Sequence, residues 1–128
     1  MKFLCLCYYD AARYAAWTPE DHAAIGALCA PHDQALRATG KMKTVGSLPG
    51  PDEAVCIYPR DAGPEAKAGA FVRTGEPLGA FFMLEAADLA EAQKLAAMHP
   101  GAISASISVA ALKSAPSIIS NRSEMRSH

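Results

Sequence analysis

The sequence lacks a strong excess of charge of either sign. Twelve Lys and Arg residues nearly balance thirteen Asp and Glu residues, which leaves a formal net charge of −1 over 128 residues. Domains that bind nucleic acid or an anionic membrane surface usually carry a concentrated basic patch. The basic residues here are scattered, apart from Lys41 with Lys43 and Arg122 with Arg126. We therefore predict neither a nucleic-acid partner nor a membrane partner.

Long hydrophobic runs are also missing. No stretch approaches the roughly 18 apolar residues that a membrane-spanning helix needs. Residues 1–9 are mostly apolar, but this run is short, meets Asp10 at once and is not followed by a small-residue cleavage site. Those features are not typical of a secretory signal peptide. We predict a cytoplasmic protein.

The motifs that commonly bind metals, phosphates or dinucleotides are absent. The four cysteines, Cys5, Cys7, Cys29 and Cys56, lack the paired Cys-x-x-Cys spacing of zinc sites. There is no glycine-rich phosphate loop and no dinucleotide fingerprint. We expect reduced thiols that pack as small hydrophobic groups, and we predict neither a metal nor a cofactor.

What the sequence does contain is enough apolar material for one core. Hydrophobic residues make up 51% of the chain and charged residues 20%, which excludes a mainly disordered protein. A chain of this length accommodates a single domain. We predict a domain over residues 1–112 and a polar, serine-rich tail over residues 113–128.

Hydrophobic periodicity predicts six strands. They fall at residues 2–9, 41–48, 53–58, 68–73, 78–84 and 103–109. In the last strand, apolar side chains alternate with serines, which predicts one buried face. The residues expected to face inward there are Ile103, Ala105, Ile107 and Val109.

Two helices are predicted from capping signals. Thr18, followed by Pro19 and acidic residues, begins a helix that runs to about Thr39 and is kinked by Pro31. Asp88, with Glu91 three residues later, begins a second helix that ends near Met98. The inward residues predicted for these helices are Ile25, Leu28, Cys29, Leu36, Leu89, Ala92, Leu95 and Ala96.

The order of these elements predicts an α+β fold with ferredoxin-like topology. It is a split βαβ arrangement with an inserted β-hairpin, which forms an antiparallel sheet with two helices on one face. The strands at residues 2–9 and 78–84 are apolar on both faces. A large apolar sheet face is rarely left in water, and a twofold-related copy is the usual cover. We therefore predict a homodimer of the dimeric α+β barrel type.

Residues 76–92 carry a resemblance to a known family. Leu78-Gly79-Ala80-Phe81, followed by Glu85 and then Asp88-Leu89-Ala90-Glu91-Ala92, is similar to the YCII-related (DGPF-domain) pattern. Residues 1–6, 36–40 and 46–48 resemble the opening strand, first helix end and second strand of that family. The resemblance spans roughly residues 1–112, and the tail lies outside it.

The signature that gives the family its second name is degenerate here. Asp-Gly-Pro-Phe falls on Ala68-Gly69-Ala70-Phe71, so that the glycine and phenylalanine are kept while the acid and the proline are lost. The resemblance implies a ferredoxin-like dimer with a cleft between the sheet and the partner. It also implies relatives that act on small chlorinated or lactone-type compounds with a His and Asp pair.

Histidines are the first candidates for catalysis, since an imidazole titrates near neutral pH. His32 falls within the predicted buried stripe of the first helix and His22 lies at its edge. Each is either a catalytic base or a hydrogen-bonded structural histidine. His99 follows the second predicted helix, where the helix dipole favours the charged form, and we expect it to act as a structural cap.

Ligand-binding candidates are Tyr8, Phe71 and Arg73. Tyr8 ends the first strand beside the predicted dimer cleft, and Arg73 lies near the hairpin, where it could hold an anionic ligand. The competing interpretation of Tyr8 is packing in the core or at an interface, and that of Arg73 is a solvated hairpin edge. A small hydrophobic or anionic molecule is the predicted ligand.

Two functions are compatible with these observations. The first is a cofactor-independent enzyme that transfers a proton on a small molecule in the dimer cleft, with His32 as the base. The second is a non-catalytic dimeric module that binds a ligand or a regulatory partner. The loss of the signature Asp at Ala68 favours the second.

Overall fold

A computed structural model describes residues 1–113, and the predicted tail falls almost entirely outside them. We number the elements in chain order, and two short 3-10 helices, Pro51–Glu53 and Pro100–Ile103, lie in the connections. The elements are β1 (Lys2–Tyr9), α1 (Ala11–Ala15), α2 (Pro19–Ala38), β2 (Met42–Ser47), β3 (Val55–Tyr58), β4 (Glu65–Ala68), β5 (Leu78–Glu85), α3 (Leu89–Ala97) and β6 (Ala105–Ala111).

The main sheet has the strand order β2-β5-β1-β6, and every neighbouring pair is antiparallel. β3 and β4 form a separate two-stranded hairpin, inserted between β2 and β5 in the chain. This arrangement confirms the predicted α+β class and ferredoxin-like topology with an inserted hairpin.

One face of the sheet is buried under the helices. β1 contributes Phe3, Cys5 and Cys7 to this face, and β5 contributes Phe82 and Leu84. The helical residues in the same core are Leu36 of α2 and Ala92, Leu95 and Ala96 of α3. Both long helices therefore pack on one face, as predicted.

The thiols of β1 behave as apolar groups in this core. Burial, and to a lesser degree the neighbouring Cys7, raises the pKa of Cys5 to about 11. Burial also raises the pKa of Cys7 above its ordinary value. Both side chains are therefore uncharged thiols at neutral pH and contribute packing rather than reactivity.

The opposite face of the sheet, which we call the bare face, has no helix on it among the described residues. It presents alternate residues of the two central strands, and these side chains are only partly buried. They are Leu4, Leu6, Tyr8, Phe81 and Met83. A Cβ on Gly46 of β2 would overlap the Phe81 ring, so the absence of a side chain there lets the ring lie across β2.

The predicted helix caps are confirmed. Thr18 Oγ1 accepts a hydrogen bond from the Asp21 N–H at 3.1 Å, and the Asp21 carboxylate accepts one from the Thr18 N–H at 2.9 Å. This reciprocal pair is a capping box. The Asp88 carboxylate likewise accepts from the Glu91 N–H at 2.8 Å. α2 continues as one helix through Pro31.

The predicted strand at residues 68–73 is wrong. The strand is β4, which ends at Ala68, because Gly69 takes a φ of +99° that turns the chain out of the extended conformation. The Gly69 N–H then donates to the Ala54 carbonyl at 2.7 Å, and the Ala70 N–H donates to the Pro51 carbonyl at 3.0 Å. These bonds fold residues 69 and 70 back onto the segment before β3.

Other errors concern residues that were predicted to face inward. Leu28 is 56% exposed, Leu89 is 55% exposed and Ile103 is 39% exposed. Ile103 belongs to the second 3-10 helix rather than to β6. Leu28 is exposed because α2 packs mainly on that 3-10 helix and buries only Leu36 completely. A short helix, α1, was not predicted.

No helix within residues 1–113 has both the length and the hydropathy to cross a membrane.

Candidate functional site

A cavity of about 510 Å³ lies at the end of β1, and Ile25 of α2 also lines it. We call it the aromatic cavity. The end of β1, α1, the loop after β2 and the connection before β6 form its walls. The side chains with chemical interest in the lining are Tyr9, Asp10, Arg13, Tyr14, Trp17 and His99.

Three aromatic rings form one wall of the aromatic cavity. The centroids of Tyr9 and Tyr14 are 5.6 Å apart with an edge-to-face geometry, and those of Tyr14 and Trp17 are 5.3 Å apart. The Tyr9 ring covers Gly79 of β5, where a Cβ would come within 2.6 Å of Tyr9 Cδ1. The wall therefore offers both edges and faces of aromatic rings to the cavity.

The charged groups of the aromatic cavity are positioned by α1. Asp10 is the N-cap of this helix, and its Oδ1 accepts a hydrogen bond from the Arg13 N–H at 3.0 Å. The second carboxylate oxygen of Asp10 accepts no hydrogen bond from residues 1–113. The cap places a carboxylate and a guanidinium on adjacent parts of the lining.

His99 is a partly buried polar group in the lining of the aromatic cavity. Its ring stacks on Phe82, with centroids 4.1 Å apart and planes inclined by 3°. Its Nδ1 accepts a hydrogen bond from the Gly101 N–H at 2.9 Å. Burial lowers the pKa of His99, with an opposing contribution from Asp33 and a reinforcing one from Arg37. The imidazole is therefore neutral at physiological pH.

The neutral form of His99 corrects the expectation that it caps the preceding helix as a charged group. It does not cap the C-terminus of α3 in the charged form, because its ring turns onto Phe82 and its Nδ1 caps the N-terminus of the following 3-10 helix. Desolvation then outweighs the attraction of the α3 dipole for an imidazolium.

A second cavity, of about 840 Å³, opens at the same end of the molecule toward the bare face. It shares Leu48 and Pro49 with the aromatic cavity. Its lining is mostly apolar and includes Tyr8, Val72, Pro77 and Leu78. Glu76 is its one carboxylate, and its lining holds neither a histidine nor a basic residue.

The two histidines predicted as catalytic line neither cavity. His32 is exposed on α2. His22 is exposed as well, and its ring packs edge-on against Tyr14 at 5.2 Å and Trp17 at 5.3 Å. His22 therefore supports the aromatic wall from outside the cavity. The predicted burial of His32 fails for the same reason as that of Leu28, since α2 rests on the 3-10 helix at Pro100–Ile103.

The three predicted ligand-binding residues are not brought into one cavity. Tyr8 lines the second cavity. Phe71 is 72% exposed and contacts the Tyr58 ring at 5.9 Å. Arg73 donates to the Asp52 carboxylate at 2.8 Å and lies over Gly69. Their roles in binding stay predictions.

Sequence reasoning missed Asp10, Arg13, Trp17 and the chemical role of His99. A signal existed for Asp10, since an Asp directly after a strand commonly caps a following helix. The His-Pro-Gly run at residues 99–101 was a signal for a side chain that caps a short turn. Within residues 1–113, no three His, Cys, Asp or Glu side chains come together in a way that could hold a metal ion.

Comparisons with known proteins place the chain in a family. The family model of the YCII-related domain matches residues 1–114. No curated protein matches the chain. Four solved chains match. One is 5-chloro-2-hydroxyhydroquinone dehydrochlorinase (TftG) of Burkholderia phenoliruptrix AC1100, in complex with 2,5-dihydroxybenzoquinone.

That structure is 18% identical, with 88% of this chain and 94% of that chain covered and a TM-score of 0.46. A likeness at this level carries no conclusion about activity. The family model, in contrast, spans every described residue and confirms the resemblance first seen at residues 76–92. The chain belongs to the YCII-related domain family.

Proposed function

We propose that this protein is a cytoplasmic, cofactor-independent enzyme of the DGPF group that transfers a proton on a small planar ligand. The ligand would lie in the aromatic cavity, against Tyr9, Tyr14 and Trp17. One observation carries the proposal. A carboxylate, a guanidinium and a neutral, partly buried imidazole all line the same cavity, which is walled by aromatic rings.

Asp10 is the proposed base. Its free carboxylate oxygen takes a proton from a ligand carbon, the electron pair of that C–H bond moves toward a carbonyl oxygen of the ligand, and the proton then returns. Arg13 offers a positive charge to the oxygen that becomes negative. This assignment replaces His32 as the favoured base, because His32 lines neither cavity.

We also propose that a second copy of the chain covers the bare face. The proposal is supported by the apolar side chains of β1 and β5, which remain only partly buried within residues 1–113. The second cavity opens on this side, so the partner would also close its mouth. The predicted dimer cleft would then adjoin the second cavity, with the aromatic cavity on the other side of the sheet.

Deuterium incorporation tests the proton transfer. Small molecules that co-purify with the protein, or that quench the fluorescence of Trp17, the single tryptophan, are incubated with it in D₂O and followed by proton NMR. The wild type should exchange one ligand C–H for C–D. Asp10→Asn keeps the helix cap but removes the base, so exchange should fall by about 100-fold or more.

His32→Gln is the matched control, since this exposed histidine lies outside both cavities. It should leave the exchange rate unchanged. Full exchange by Asp10→Asn, or its loss in His32→Gln, would contradict the assignment of the base.

A non-catalytic binding module is the second candidate. Ala68 stands where the family signature has its acid, and this observation favours binding without turnover. In that case a ligand would quench Trp17 fluorescence in the wild type, while no deuterium would enter the ligand.

A further inference from the structure

His99 is held in one orientation by contacts on two sides of its ring. Phe82, which is completely buried, stacks flat against one ring face at 4.1 Å. The backbone of Gly101 donates to Nδ1 at 2.9 Å. A Cβ at Gly101 would lie 3.0 Å from Nδ1 and 3.4 Å from Cε1, so a side chain there would crowd the imidazole.

This geometry fixes the position of the ring proton. A neutral imidazole has one N–H and one nitrogen with a free lone pair. Since Nδ1 uses its lone pair to accept from Gly101, the proton must be on Nε2. Nε2 has no hydrogen-bond partner among residues 1–113, and no side-chain nitrogen or oxygen of these residues is both sealed from solvent and unpaired. Nε2 is therefore not sealed from solvent, and His99 is one of the residues that line the aromatic cavity.

We propose that His99 acts as a hydrogen-bond donor to an oxygen of the ligand, and that the aromatic cavity selects planar aromatic oxyanions. The Nε2–H cannot accept a proton from a ligand, so His99 is not the base in this geometry. Arg13, which also lines the cavity, adds a positive charge that favours an anion. Neutral imidazoles serve as donors of this kind where a carbonyl or enolate oxygen must be polarised.

This inference rests on the proposed location of the site and adds the chemical class of the ligand. It also separates the roles of the cavity residues. Asp10 exchanges a proton with the ligand, His99 contacts the ligand oxygen, and Gly101 and Phe82 are positioning residues that act through His99.

A pair of nearly isosteric probes tests the ligand class. 4-Nitrophenolate carries an aromatic oxyanion at about pH 8, and 4-nitroanisole replaces the oxyanion by a neutral ether. Binding of each is followed by quenching of Trp17 fluorescence. The wild type should bind the phenolate at least about tenfold more tightly, since a hydrogen bond to a charged acceptor is worth that much.

His99→Phe keeps an aromatic ring on Phe82 but removes the donor, and it should lose the preference for the phenolate. His32→Gln is the control and should keep it. In protein labelled with ¹⁵N-histidine, NMR should show a protonated Nε2 and an unprotonated Nδ1 for His99, and the phenolate should shift the Nε2 signal. Gly101→Ala should disturb this pattern and weaken phenolate binding while leaving the protein folded.

Each alternative result is decisive. A protonated Nδ1 in the wild type, or equal binding of the two probes, would overturn the role of His99 while leaving the aromatic cavity as a binding site. Binding of neither probe would overturn the proposed site and this inference together.

Discussion

The two faces of the sheet differ in how completely their side chains are buried. On the helix-covered face, Phe3, Cys5 and Phe82 are completely buried, and the aromatic cavity lies at one end of this face. On the bare face, Leu6 and Met83 are only partly buried along the middle of the sheet. The helix-covered face is a buried core with a cavity at one end, whereas the bare face is an apolar surface that is only partly buried.

The same strands supply both faces, because neighbouring residues of a strand point in opposite directions. Tyr9 lines the aromatic cavity and Tyr8 lines the second cavity. Yet the charged and imidazole side chains are unevenly divided between the two cavities. Asp10, Arg13 and His99 line the aromatic cavity, whereas the second cavity has one carboxylate, Glu76, and neither a histidine nor a basic residue. This difference is the basis for proposing chemistry on the helix-covered face and assembly on the bare face.

The largest effect should come from the core. Phe82→Ala removes a completely buried ring and the stacking partner of His99, and it should lower the free energy of unfolding by about 3–5 kcal/mol. Leu28→Ala is the control, because this exposed residue should change the free energy by no more than about 0.5 kcal/mol. Urea unfolding measures both, and equal effects would erase the distinction between core and surface.

A charge on the bare face should have a smaller effect on folding but a large effect on assembly. Leu6→Lys places an ammonium among the apolar side chains of β1 and β5, and the proposed dimer should dissociate into folded monomers. Light scattering gives the mass, and circular dichroism checks the fold. Leu28→Lys, on exposed α2, should remain dimeric. A wild type that is monomeric at working concentrations would contradict the proposed cover.

The smallest effect should be a change in the pH dependence of stability. Burial holds the pKa of His99 below its ordinary value, so the unfolded chain binds the proton more readily than the folded protein. The stability contributed at neutral pH is therefore lost as the pH falls below about 6.5. Removing this group by His99→Gln should flatten the loss between about pH 7 and pH 5, measured by thermal unfolding. An unchanged slope would show that His99 is not desolvated.

The fold was largely predictable because local signals and periodicity agreed. The capping box at Thr18, the cap at Asp88 and the two-sided apolar pattern of residues 78–84 each predicted the element that formed. The prediction failed at Gly69, whose positive φ ended a strand that composition alone extended to residue 73.

The site was less predictable because it depends on which part of α2 the rest of the chain covers. A helical wheel places His32 on the same stripe as Cys29 and Leu36, but periodicity does not say which parts of a stripe are covered. The 3-10 helix at Pro100–Ile103 packs on α2, whose His32 is exposed, and the cavity is lined by His99 and Gly101. The importance of His99 therefore follows from packing between elements distant in the chain.

A residue-resolved amide NMR map of 4-nitrophenolate binding tests the division between the two faces most directly. The largest shifts should fall at Tyr14, Trp17 and Gly101, which line the aromatic cavity. Amides of Ala54, Val72 and Glu76, which line the second cavity, should stay unchanged. Shifts confined to Ala54, Val72 and Glu76 would contradict the assignment of chemistry to the helix-covered face.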